Sequence, residues 1–175
     1  MSRAEVELES FVAPAKSKKE QPQREDLDKK VDQCWDLYDQ GKYDEAYKMV
    51  LPIAKKGIGK AINMMATLHE KGKGVPADLN KAIEWYELGI KKDYWACFNN
   101  LGNLYYNYSV DENQGKVAAY QFYKQVIYKT NKVVAKRGLD ILLSGLVPYN
   151  EDEKQQWIKR LIELGEEEYV NALNK

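Results

Sequence analysis

The 175-residue sequence holds one histidine and two cysteines. A lone histidine with no cysteine cluster is a poor basis for a zinc centre, which as a rule takes several nitrogen and sulfur donors. Two cysteines make no disulfide framework. Cys34 and Cys97 each fall on a helical pattern where small apolar residues belong, so they read as buried thiols. A charge surplus is missing too, because 27 basic residues balance 27 acidic ones. A general nucleic-acid binder needs excess positive charge to displace counterions from phosphates, so that class is set aside. No apolar run reaches the length of about eighteen residues that a membrane helix needs, and no charged start leads into an apolar segment. The expectation is a chain with no membrane span and a cytoplasmic location.

Catalytic signatures are equally scarce. There is no Gly-x-Ser-x-Gly, no paired-cysteine motif and no phosphate loop ending in Gly-Lys-Ser/Thr. KGKGV, residues 71–75, has glycines and lysines but no strand before it and no Ser/Thr after it, so it reads as a turn. Carboxylates are plentiful, yet none is singled out as a pair for acid/base work. His69 lies on an apolar helical stripe and reads as a packed core residue rather than a ligand or base. No catalytic residue, metal or cofactor is expected.

What the chain does have is a repeat. In AINMMATLHEKGKGVPADLNKAIEWYELGIKKDYWA, residues 61–96, Ala61, Met65, Ala66, Leu68 and His69 are spaced by threes and fours, as on one stripe of a helix. Gly72 suits a helix end, and Pro76 disfavours helix for the residue before it. Asp78 stands where a side chain can cap a second helix, whose stripe is Leu79, Ala82, Ile83, Trp85 or Tyr86, and Ile90. Neither helix can bury its stripe alone, so the pair must stack on copies of itself.

The copies recur at an offset of 36 residues, which carries Ala61 to Cys97, Met65 to Leu101, Ala66 to Gly102, Leu68 to Leu104, His69 to Tyr105, Ala82 to Ala118 and Tyr86 to Phe122. Upstream, Ala46 in GKYDEAYKMVLPIA matches Ala82 across a shorter loop. A more degraded copy starts near Ala135, with Leu139 for Met65, Leu142 for Leu68 and Asp152 for the capping Asp78.

Lys81, Ala82, Trp85 and Tyr86 in a second helix, Gly72, Gly74 and Val75 in the loop, and Leu101, Gly102, Leu104 and Tyr105 in a first helix together resemble the Sel1-like repeat, a relative of the tetratricopeptide repeat. The resemblance is specific over residues 61–122. Residues 41–54 are closer to a plain tetratricopeptide unit, and beyond residue 135 the match is weak, with Gln156 where an alanine is expected. The resemblance implies an all-α fold: an α-solenoid of about four antiparallel helix pairs in a right-handed superhelix, serving as a protein-binding scaffold. It does not name the partner.

In chain order, residues 1–25 read as a tail, either disordered or loosely docked, with an apolar island at Val6, Leu8, Phe11 and Val12. The repeat domain is expected over 26–175, with units near 27–58, 59–94, 95–131 and 132–165 and a short cap at 166–175, where Tyr169, Val170 and Leu173 form an apolar side. Pro52 should kink the second helix of the first unit. One helix is expected over Gly115–Lys129.

In stacked pairs of this type the first helices line the concave face. Their positions off the stripe are Asn63, Thr67 and Glu70, which the 36-residue shift carries to Asn99, Asn103 and Tyr106. The first unit contributes Asp32, Asp36 and Asp39, and the last contributes Arg137, Ile141 and Ser144. The expected groove is acidic at one end, amide-rich in the middle and aromatic beyond, suited to a basic or polar protein segment, with charge setting encounter rate more than affinity. The 13 tyrosines serve either as packing residues with a wet hydroxyl or as contact area for a partner. The leading reading is a non-enzymatic, monomeric binding module: an adaptor, or a dedicated inhibitor of the immunity kind that neutralises a bacterial toxin. The alternative, implied only by cysteine-rich members of the resembled family, is an enzyme with weak activity on β-lactams.

Overall fold

The computed structural model describes residues 21–173, so the apolar island at Val6–Val12 lies outside the described residues. Among the described residues there are nine α-helices, one 3₁₀ segment and no strand. They fall into two compact units divided between Tyr94 and Trp95.

The first unit contains α1 (Gln21–Asp39), α2 (Tyr43–Lys55), α3 (Gly59–Lys71) and α4 (Leu79–Lys91). Helix α1 starts upstream of the expected Leu27 and ends at Gly41, whose φ of 78° lets the Lys42 N–H return to the Leu37 carbonyl at 2.9 Å. Helix α3 ends in the same way at Gly72. Gly74 is required for a different reason: a Cβ there would meet the Tyr43 carbonyl oxygen at 2.5 Å, so only glycine lets the loop rest on the start of α2. Asp78 caps α4 as expected, accepting from the Lys81 N–H at 3.0 Å. Pro52 lies on the exposed side of α2, and the helix continues through it to Lys55. Helix α3 packs against α1, α2 and α4, which is why six consecutive residues from Ala61 to Ala66 are buried, well beyond one stripe.

The second unit contains α5 (Trp95–Tyr108), α6 (Glu112–Tyr123), the 3₁₀ segment Lys124–Lys129, α7 (Lys132–Leu143), α8 (Glu151–Glu163) and α9 (Glu167–Ala172). The helix expected over Gly115–Lys129 differs at both ends. Asp111 caps it from the Gln114 N–H at 2.9 Å, so it starts early, and Gly115 becomes the point where α6 presses on α5. At the far end Val126 leaves helical geometry (φ −133°, ψ 30°), which lets neighbouring Val126 and Ile127 both be buried. The buried Thr130 that ends this segment receives two bonds on its carbonyl from the Arg160 guanidinium, at 3.0 and 2.6 Å.

The 36-residue register holds for the first helix, since Cys97, Leu101 and Leu104 are buried like Ala61, Met65 and Leu68. It slips by one in the second helix. Ala119 and Tyr123 are fully buried where Ala118 and Phe122 were expected, and the Tyr123 ring packs directly over Gly102 of α5. Asn150, not Asp152, caps α8, accepting from the Glu153 N–H at 3.0 Å; Asp152 lies in the first turn, where its charge suits the positive end of the helix. Helix α9 closes the core of this unit with buried Val170 and partly buried Tyr169, whereas Leu173 is 43% exposed. Among the described residues no helix is long and apolar enough to cross a membrane, and no group of three or more His, Cys, Asp or Glu is placed to hold a metal.

Candidate functional site

In the first unit Asp32, Asp36 and Asp39 are all exposed on α1. Asp32 accepts a hydrogen bond from the Lys60 ammonium of α3, so part of the expected acidity is compensated. Asn63 is 7% exposed, carried inward with the rest of α3. Half-buried Thr67 returns its hydroxyl to the Asn63 carbonyl at 3.0 Å and lies 3.4 Å from the Tyr86 hydroxyl. Glu70 accepts from that same Tyr86 hydroxyl at 2.7 Å and from Lys71 at 2.5 Å. Thr67 and Glu70 are thus gathered around a second-helix tyrosine and serve the packing of α3 on α4.

Beside them runs an aromatic file that sequence reasoning did not assign to the surface. Trp35 meets Tyr38 edge to face at 5.4 Å, Tyr38 meets Tyr43 at 5.1 Å, and the Lys73 ammonium lies 4.6 Å over the Tyr43 ring. Burial raises the pKa of Tyr38, aided by nearby Tyr43 and opposed by Lys73 and Lys71. A cleft of about 310 Å³ opens where the Gly41–Glu45 backbone faces Gly74.

His69 is 7% exposed and meets Tyr47 edge to face at 6.3 Å. Its Nδ1 has no hydrogen-bond partner among the described residues. Burial, then the Lys81 charge, hold its pKa below the ordinary 6.5. A neutral imidazole sealed from solvent fits the core role read from the sequence.

The second unit brings three of the sequence-derived residues together. Asn103 on α5 accepts at Oδ1 from two donors, the Tyr123 hydroxyl of α6 at 2.8 Å and Arg137 Nη1 of α7 at 2.8 Å. The Arg137 guanidinium stands 4.1 Å over the Tyr106 ring of α5. Asn107, one turn beyond Asn103, accepts from Arg137 Nη2 at 3.4 Å. Burial pushes the Tyr123 phenol up to about 12 against the lowering influence of Arg137, so it stays protonated and donates. Asn107 and Tyr123 were not selected from the sequence, although the four-residue spacing from Asn103 was a usable signal for Asn107. Asn99, expected on the same face, is 5% exposed, and its Oδ1 has no partner among the described residues. Of the last-unit positions, half-buried Arg137 joins the cluster, while Ile141 is 3% exposed and belongs to the core. The Ser144 hydroxyl donates to the Ile141 carbonyl at 2.7 Å.

Chemically, this cluster is a cation stacked on an aromatic ring and held by neutral amide oxygens. It can recognise and orient a ligand.

Residues 59–94 match the model of the Sel1 repeat, and they coincide with α3, its glycine loop and α4. No curated protein sequence matches the chain. Among solved structures, the chain is similar to a Sel1 repeat protein from Oxalobacter formigenes, with a TM-score of 0.64 and 21% identity over 77% of this chain and 55% of that one. It is also similar to a protective antigen of uropathogenic Escherichia coli strains that displays an SLR fold, with a TM-score of 0.60 and 21% identity over 70% of this chain and 26% of that one. The chain therefore spans about half the length of the first protein and about a quarter of the second. The repeat at residues 59–94 is a Sel1 repeat, and the chain has the α-solenoid fold of Sel1-repeat proteins.

Proposed function

We propose that this protein is a non-enzymatic binding module that engages a partner protein through the exposed faces of its first helices. Asp32, Asp36 and Asp39 form the contact face of one unit, and Asn103, Tyr106 and Arg137 that of the other. The partner contributes a polar or basic segment to the aspartates. The chain works as an adaptor or as a dedicated inhibitor of the immunity type, acting as a monomer in the cytoplasm.

The observation that carries this reading is the convergence of Asn103, Tyr106 and Arg137, chosen from repeat register alone, on one hydrogen-bonded and stacked cluster. Tyrosine and arginine are the residue types that dominate binding energy at interfaces, where they offer large contact areas and fixed donor geometry. The Sel1-repeat fold, typical of protein-interaction modules, supports the same reading. Asn63 and Glu70 take part indirectly: one is buried, and the other is held by Tyr86.

The test is affinity capture from the native host's lysate with the wild type beside Tyr106→Ala and Asp32→Lys/Asp36→Lys variants, each first shown to be folded and helical. Stoichiometric retention of one protein by the wild type, lost in a variant, supports the reading. Equal retention by all forms moves the site off these helices. Turnover of a β-lactam by the purified chain would overturn the non-enzymatic assignment.

A further inference from the structure

Arg137 is organised for a negative charge that the chain does not supply. Among the described residues it makes no ion pair, although nine other cation–carboxylate pairs form. Its hydrogen bonds go to the amide oxygens of Asn103 and Asn107, which orient a guanidinium without neutralising it. Asp140, three residues further along α7, accepts from the Tyr169 hydroxyl and makes no ion pair with Arg137. The Tyr106 ring covers one face of the guanidinium and attracts its charge through the ring quadrupole. Stacking occupies a face of the guanidinium and not its edge. An arginine has five N–H donors in one plane, two are engaged here by asparagines, and a carboxylate docks in that plane with two parallel bonds.

Lysine could not do this. Its ammonium is a point charge without a plane to stack or a fork to align. Lys136, the neighbour of Arg137 on α7, is by contrast paired, with Glu166 at 2.5 Å.

We infer that Arg137, presented by Tyr106, Asn103 and Asn107, is the anchor for a carboxylate side chain, a glutamate or aspartate, in the partner protein's docking segment. The inference rests on the binding-module reading for its surface and specifies the partner's chemistry there. It makes the second unit's preference acidic, in contrast to the basic or polar segment expected for the aspartates of α1.

Selection of a random peptide display library on the full-length chain tests it. Enriched peptides are expected to share an Asp or Glu at one aligned position. Changing that residue to its amide should weaken binding about tenfold or more, as should Arg137→Gln in the protein. Combining both changes should cost little more than either alone. Arg137→Lys should restore only part of the affinity, and helical content measured by circular dichroism should be unchanged in both variants. Enriched peptides that lack a common acid, or that bind Arg137→Gln as well as wild type, overturn this inference and leave the binding-module reading standing. Failure to enrich any peptide overturns both.

Discussion

The Tyr123 ring occupies the space that a side chain at residue 102 would need: a Cβ on Gly102 would lie 2.4 Å from it. This missing methyl is what lets α6 lie close enough to α5 for the Tyr123 hydroxyl to reach Asn103. Gly102→Ala should therefore destabilise the protein by about 1–3 kcal/mol through overpacking, read as a lower urea midpoint with unchanged slope. Gly138→Ala, whose Cβ would meet the Trp157 ring at 2.6 Å, should do the same. A neutral outcome at both would mean that the helix pairs are looser than described.

Asn103 joins three helices through one oxygen. Asn103→Leu leaves the hydroxyl of fully buried Tyr123 without its acceptor and should cost about 1–3 kcal/mol. Tyr123→Phe alone should cost less. The double variant should recover part of the loss, because it removes the stranded hydroxyl. Strict additivity in that cycle would contradict the hydrogen bond.

The sequence showed the helix pairs clearly and the surface only in part. First-helix positions were legible because Ala61, Met65 and Leu68 recur as Cys97, Leu101 and Leu104 at one constant offset, and all six are buried. Second-helix register was not, since adjacent Ala118–Ala119 and Phe122–Tyr123 satisfy the pattern in either phase, and only the packing on α5, where Gly102 leaves room for the Tyr123 ring, distinguishes them. Asn63 and Asn99 were assigned outward because they lie off the apolar stripe, yet each is carried inside, since single-helix periodicity does not register a helix covered on more than one side. Arg137 was assigned to the surface by alignment alone. Its stacking on Tyr106 depends on which turns of α5 and α7 meet.

His69 gives the first unit an acid-sensitive point. Its folded-state pKa lies below the ordinary 6.5, so as pH falls past that value the unfolded chain takes up a proton that the folded one refuses. Stability present above about pH 6.5 is lost progressively until the folded-state pKa is passed. Thermal midpoints of wild type and His69→Phe, compared at about pH 7.5 and about pH 5.5, should show the wild type losing more on acidification. Parallel losses would show that His69 is protonated in the folded state as readily as in the unfolded one.

Both cysteines should be unreactive while the protein is folded. Burial pushes the Cys34 thiol up to about 11 and the Cys97 thiol up to about 12, so the nucleophilic thiolate is scarce and enclosed at neutral pH. A chromogenic disulfide reagent should label neither at native conditions within minutes and both after denaturation. Rapid native labelling of either would show that its helix opens.

The central claim, that the first-helix surface of the second unit contacts a partner protein, is tested most directly by placing a photo-crosslinking amino acid at Tyr106 and, as a control, at Tyr128, which is 67% exposed on the 3₁₀ segment. Irradiation in the native host should trap one discrete protein from position 106 and none from position 128, and Arg137→Gln should diminish the product. Equal crosslinking from both positions, or a product from position 128 alone, would contradict the account.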